Sequence, residues 1–88
     1  MFRNIKKIER ALEIPESIVD DISKVTCIGK DKVLIENYIG ILEYDDNTIR
    51  LNTSDGDILV FGDNLVITQL TKDDILILGK IHMVEFER

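Results

Sequence analysis

Apolar and polar side chains alternate in two places within residues 33–53, which read V-L-I-E-N-Y-I-G-I-L-E-Y-D-D-N-T-I-R-L-N-T. The period is two across Leu42, Glu43 and Tyr44, and again across Ile49, Arg50, Leu51 and Asn52. Successive side chains of a strand point to opposite faces, so this pattern predicts strands with one buried face. Between the two runs stands Asp45-Asp46-Asn47, whose short polar side chains can bond the local backbone in a turn. Gly40 separates a first strand from a second. The expectation is three strands joined by tight turns, a meander that needs further strands to close its core.

The flanking segments repeat this grammar. Residues 25–28 read as a strand ended by Gly29-Lys30-Asp31. Ser54-Asp55-Gly56 is a strong hairpin signal, followed by a strand over 57–61, a turn at Gly62-Asp63-Asn64 and a strand over 65–70. After Thr71-Lys72-Asp73-Asp74 a last strand begins at Ile75 and continues to Val84 and Phe86, with Gly79 as a bulge or bend inside it. Turn signals recurring about every 8–12 residues are the spacing of a sandwich or barrel rather than of βαβ units. V-T-C-I-G, I-L-V-F-G and I-L-I-L-G echo one another, but their glycines are 33 and 17 residues apart, not at a fixed period. A β-helical stack is therefore the second choice of architecture.

Residues 1–14 follow a different rhythm. Phe2, Ile5, Ile8 and Leu12 recur at three or four residues and predict a short helix with an apolar stripe. Arg3, Lys6, Lys7 and Arg10 gather on its opposite side, and Pro15 biases Ile14 out of the helical region. A second short turn after Pro15 would direct Ile18, Val19 and Ile22 inward. The helix and the β-domain over 15–88 are expected to fold as one unit. Two readings of the helix stand side by side: a stripe that covers an open end of the sheet, and a basic amphipathic segment for an anionic membrane surface or an acidic partner.

Composition sharpens the class. Fifteen Ile and six Val against one Ala favour a pleated surface over helices, where β-branched side chains are stiff. No apolar run approaches the roughly 20 residues of a membrane span. Residues 1–12 carry charges where a secretory signal would be apolar, and the single Cys27 cannot form an internal disulfide. A cytoplasmic protein is the expectation. Charge is unevenly divided: residues 1–10 have a net of +3, and the remaining 78 hold seven basic and sixteen acidic side chains. An acidic body argues against nucleic acid, whose affinity rests on cationic contacts to phosphate.

The constellations of catalysis are mostly missing. Cys27 and His82 are the only members of their kinds, and Cys27 in an apolar strand reads as a small core residue rather than a nucleophile. One Cys and one His leave a structural zinc site half empty. The acidic pairs Asp20-Asp21, Asp45-Asp46 and Asp73-Asp74 read as solvated turns, since no EF-hand spacing surrounds them. Glu36 and Glu43 could face each other across one hairpin, but paired carboxylates without a cleft do not make a glycosidase. Neither G-x-G-x-x-G nor a P-loop is present, so no catalytic residue, metal or cofactor is expected. Tyr38 and Ile39 remain as candidate interface residues. A large apolar residue beside Gly40 in a turn either plugs an end of the core or presents an exposed contact to another subunit.

The order of L-E-I-P at 12–15, I-V-D-D at 18–21, V-T-C-I-G at 25–29 and I-E-N-Y-I-G-I-L-E-Y at 35–44 carries a resemblance. So do T-I-R-L-N-T at 48–53, G-D-N-L-V-I at 62–67 and I-L-I-L-G-K-I at 75–81. Together they resemble the YabP/YqfC family of sporulation proteins, on its YqfC branch; Ser23-Lys24 departs from that pattern, where a proline would be expected. The resemblance implies a small β-rich protein of the mother-cell cytoplasm, linked to spore envelope assembly and accompanied by a YqfD-like membrane protein. It carries over no catalytic residue. The resulting expectation is an all-β protein: a small antiparallel, meander-like β-sandwich of about seven strands behind a short N-terminal helix. It would be a non-enzymatic interaction module, possible as a homo-oligomer, and peripheral at the forespore membrane through Arg3, Lys6, Lys7 and Arg10. An Sm-like RNA-binding barrel is the alternative, and a hydrolase using Cys27 or paired carboxylates a remote third.

Overall fold

A computed structural model describes residues 22–88. The helix expected over 1–14, its four basic residues and most of the turn after Pro15 lie outside the described residues. Within them the chain forms six strands and no helix: β1 (Lys24–Ile28), β2 (Lys32–Glu36), β3 (Gly40–Tyr44), β4 (Thr48–Thr53), β5 (Gly56–Gln69) and β6 (Asp74–Glu87). They make one hydrogen-bonded sheet in the order β1-β2-β6-β5-β4-β3, antiparallel at every step. A parallel β-helical stack is excluded by that pairing among the described residues.

The turns that polar residues predict are in place. Asp45 Oδ1 accepts hydrogen bonds from the backbone N–H of Asn47 at 2.8 Å and of Thr48 at 2.7 Å, closing the β3–β4 hairpin. Thr53 Oγ1 donates to the carbonyl of Gly56 at 2.7 Å and accepts from Asp55 N–H, closing β4–β5. Thr71 Oγ1 donates to Asp74 Oδ2 at 2.9 Å between β5 and β6.

Two sequence expectations are corrected. Gly62-Asp63-Asn64 is no turn: β5 runs through it, so seven expected strands become six. The polar run instead forms bulges, with the register shifting between Phe61 and Gly62 and again between Asp63 and Val66. Asn64 takes the left-handed conformation (φ 53°), and Gly79 on the facing strand has φ 143°. Short polar and glycine residues mark a bulge as well as a turn, and local sequence does not separate the two. The second correction is to the meander. β2 pairs with β1 and β6, whereas β3 pairs with β4 at the far edge of the sheet. Asn37 (φ 63°) turns the chain away from a hairpin, and its N–H donates to Asp74 Oδ1 at 3.0 Å. Tyr38 N–H then bonds the carbonyl of Asp73, and Ile39 N–H that of Asn52, so three residues cross from one side of the sheet to the other.

The core explains the β-branched composition. Val33 and Ile35 of β2 stand opposite Ile77 and Ile75 of β6, and Ile49 and Leu51 of β4 opposite Val60 and Ile58 of β5. With Leu65 these nine side chains form one buried cluster, against which Val25, Tyr38, Ile67, Ile81 and Val84 are packed. Each contributes roughly 1.5–3 kcal/mol relative to an exposed position. β5 and β6 belong to both halves of the sheet and bend at the bulges. Across that bend the Tyr44 hydroxyl of the β3 edge accepts a hydrogen bond from Ile67 N–H at 3.0 Å.

Candidate functional site

Among the described residues the topology leaves β1 and β3 as the two edges of the sheet, each paired on one side only. An edge strand offers unpaired N–H and C=O groups to another chain, and proteins commonly blunt such edges with Lys, Pro or bulges. β3 has neither Lys nor Pro, and Glu43 is its one charge. Along this edge Ile39 is 65 % exposed, Leu42 56 %, Tyr44 50 % and Ile41 45 %. A run of large exposed apolar residues marks an interaction site far better than a solitary one.

The local reason for this exposure lies in the register. Ile41 stands opposite Leu51 and Tyr44 opposite Ile49, so both lean toward the core side at its margin. From the pair Ile41–Leu51 to the pair Glu43–Arg50, two residue steps on β3 match one on β4, and Leu42 is the extra residue of that bulge. Alternation predicts Leu42 and Tyr44 on one buried face; the bulge breaks the alternation, and β3 is instead the most exposed strand flanking the core. Of the two predicted interface residues, Ile39 is exposed. Tyr38 is half-buried against the core and accepts a long hydrogen bond from Gln69 Nε2 at 3.5 Å. Sequence reading missed Ile41 and Leu42. The adjacent pair Ile41-Leu42 was the available signal, since two apolar residues in succession violate a one-faced strand. Arg3, Lys6, Lys7 and Arg10 lie outside the described residues.

Other candidate chemistries come apart in space. Cys27, expected in the core, is exposed on the β1 edge. It stands opposite Val33, which stands opposite Ile77, so His82 is two strands over and five residues further along β6. Five strand residues span roughly 16 Å. His82 Nε2 lies 2.9 Å from Asp63 Oδ2 instead, in a half-exposed pair with no nucleophile in the register around it. Glu36 and Glu43 do not share a hairpin: Glu36 faces Lys24 and Asp74, and Glu43 faces Arg50. Among the described residues no three His, Cys, Asp or Glu side chains converge as metal ligands do.

Charge is organised rather than scattered. Arg50 reaches Asp57 Oδ2 at 2.7 Å and Glu87 Oε1 at 3.1 Å, tying β4, β5 and β6 together on the face away from the core. The hydrogen bond to Asp57, and after it that to Glu87, pushes the guanidinium above its already high range. A cation stabilised in the folded state loses that contribution only as pH rises through its folded pKa, so Arg50 adds no pH dependence under ordinary conditions. At the β1–β2 end, Lys30, Lys32 and Lys80 surround an open depression with Asp31, Leu78 and Gly79.

Comparison with known proteins meets this geometry at its family level. The model of the YabP family matches residues 20–88, which includes every described strand. The chain is also similar to "Uncharacterized protein YqfC" of Bacillus subtilis (strain 168), at 34 % identity over 79 residues, covering 90 % of this chain and 85 % of that relative. No solved structure matches. A family match over all six strands, joined to that identity across most of both chains, shows that this chain belongs to the YabP family.

Proposed function

We propose that this chain is a non-enzymatic assembly module in sporulation, acting in the mother cell in formation of the spore envelope. The observation that carries the reading is the β3 edge, where Ile39, Ile41, Leu42 and Tyr44 are exposed beside unpaired backbone. A partner strand can add to such an edge, with backbone bonds giving affinity and side-chain fit giving selectivity. The same reading takes the bent sheet as a small sandwich whose halves enclose the Ile and Val core; the bond between Tyr44 and Ile67 across the bend supports it. A YqfD-like membrane protein is the proposed partner. Arg3, Lys6, Lys7 and Arg10 would help to hold the module at the cytoplasmic side of the forespore membrane, each basic residue adding ~1 kcal/mol near anionic lipid. Twelve acidic against seven basic side chains in residues 22–88 weigh against the RNA-binding alternative.

The experiment is affinity purification from sporulating cells of the native host, comparing the parent with Leu42→Lys. The expected result is a membrane-protein partner recovered with the parent and reduced at least about tenfold with the variant, whose fold is retained. Recovery of the same partners in equal amounts by both proteins would overturn the edge as the carrier of function.

A further inference from the structure

Among the described residues both edges of the sheet, and not β3 alone, are open. β1 and β3 are each five residues long, and each is flanked by exposed isoleucine: Ile22 (48 %) and Ile28 (46 %) at the β1 edge, Ile39 and Ile41 at the β3 edge. Their charges are opposite. Residues 24–32 carry Lys24, Lys30 and Lys32 against Asp31, and Lys80 adjoins the last two. Residues 40–47 carry Glu43, Asp45 and Asp46 with no cation, and Asp63 adjoins them through Asn47 Nδ2 at 3.5 Å. An acidic edge repels its own copy and attracts a basic one.

We infer that the occupant of the β3 edge is the β1 edge of a second copy of this chain, so that copies join head to tail. This rests on the reading of the protein as an assembly module: the β3 edge is taken by a copy, and the membrane-protein partner is recruited by the assembled copies, so Leu42→Lys lowers its recovery through loss of assembly. The contact is heterologous: each copy that joins leaves one edge of each kind free, and the assembly closes into a ring or grows as a filament rather than stopping at a two-fold dimer. The bulge at Leu42 kinks the β3 edge. A kinked edge resists indiscriminate pairing and favours a strand shaped to it.

The test uses the full chain and two surface variants. Ile28→Glu places an acid on the basic edge, and Leu42→Lys places a base on the acidic one; both sites are about half exposed, so the fold tolerates them. Retained sheet signal and cooperative melting confirm that it does. Sedimentation equilibrium of the parent is expected to show mass rising with concentration above the 10.1 kDa protomer, and less steeply at about 0.5 M than at about 0.05 M salt. Each variant alone is expected to weaken association at least about tenfold. An equimolar mixture is expected to form a heterodimer, because each variant supplies the intact edge that the other lacks.

A two-fold contact through β3 would leave Ile28→Glu unaffected, and one through β1 would leave Leu42→Lys unaffected. Either result overturns the inference, as does a folded pair of variants whose mixture stays monomeric. A parent that remains monomeric at several hundred micromolar also overturns it. That outcome leaves the assembly-module reading to be decided separately, by the partners recovered from sporulating cells.

Discussion

The close approach of β5 and β6 at their bulges depends on an absent side chain at Gly62. A Cβ built there would be driven into the backbone carbonyl oxygen of Lys80 and to 2.9 Å from Leu65 Cδ2. Gly62 is buried, and its partner across the ladder is Ile81, so neither strand has room to withdraw without breaking that pairing. Overpacking in a well-packed interior costs about 1–3 kcal/mol; a clash of backbone with backbone belongs at or beyond the upper end. For Gly62→Ala the expected loss is therefore ~3 kcal/mol. A domain of this size has about 5–15 kcal/mol in total, and each kcal/mol corresponds to about 4–8 °C in Tm. The variant should melt roughly 10–25 °C below the parent.

Gly40→Ala is the matched control. A Cβ at Gly40 meets only Asn52 Oδ1, at 3.0 Å, and that is the end of a side chain that can turn away. Its cost should stay within ~0.5 kcal/mol. Urea unfolding followed by far-ultraviolet circular dichroism compares the three proteins, with an unchanged m-value showing that stability alone has moved. Gly79→Ala adds an internal check. Gly79 has φ 143°, and a Cβ there would stand 2.9 Å from the carbonyl oxygens of both Asp63 and Asn64. The two glycines serve one bend, so the double variant should cost less than the sum of the singles. If Gly62→Ala unfolds within ~1 kcal/mol of the parent, the close approach of β5 and β6 is not what shapes the sheet.

Three further outcomes are expected. Tyr44→Phe removes the acceptor for Ile67 N–H and should lower stability by about 0.5–1 kcal/mol in the same urea assay, since water can reach the exposed site. Cys27→Ala and His82→Ala should leave spore formation intact, because the two side chains stand on separated strands; a folded variant of either that yields fully defective spores would make the chemistry enzymatic. Changing Arg3, Lys6, Lys7 and Arg10 together to Glu should disperse a fluorescent fusion through the mother cell at unchanged thermal stability, whereas Ile5→Asp should lower that stability by disturbing the apolar stripe.

How much of this was legible in the sequence depends on the range of the interaction that decides each feature. Hairpin turns were legible because their determinants are neighbours: Asp45 bonds the backbone two and three residues on, and Thr53 does the same across Ser54 and Asp55. The core was legible only in part: alternation marks Ile49 and Leu51 as one face, whereas Val33 and Ile35, and Ile75 and Ile77, stand in unbroken apolar runs that show a strand but not which face is buried. At Gly62-Asp63-Asn64 local chemistry allowed both a turn and a bulge. What decides between them is the ladder with residues some 20 positions away, where Gly79 gives room that no reading of 62–64 alone reveals.

The candidate site was less legible still, because being an edge is a property of the whole topology. Leu42 looks like a core residue in its own sequence, as Ile49 does. Their fates part because Asn37 turns the chain across the sheet and deposits β3 outside β4, with no strand beyond it among the described residues. The same event separates Glu36 from Glu43 and removes the one hairpin on which paired carboxylates could have met. A single left-handed asparagine, fixed by Asp74 from the other end of the chain, thus denies the protein a plausible acid pair and gives it an apolar edge. On the proposed reading, the interaction surface of this chain follows from where a strand ends up rather than from which reactive groups it carries.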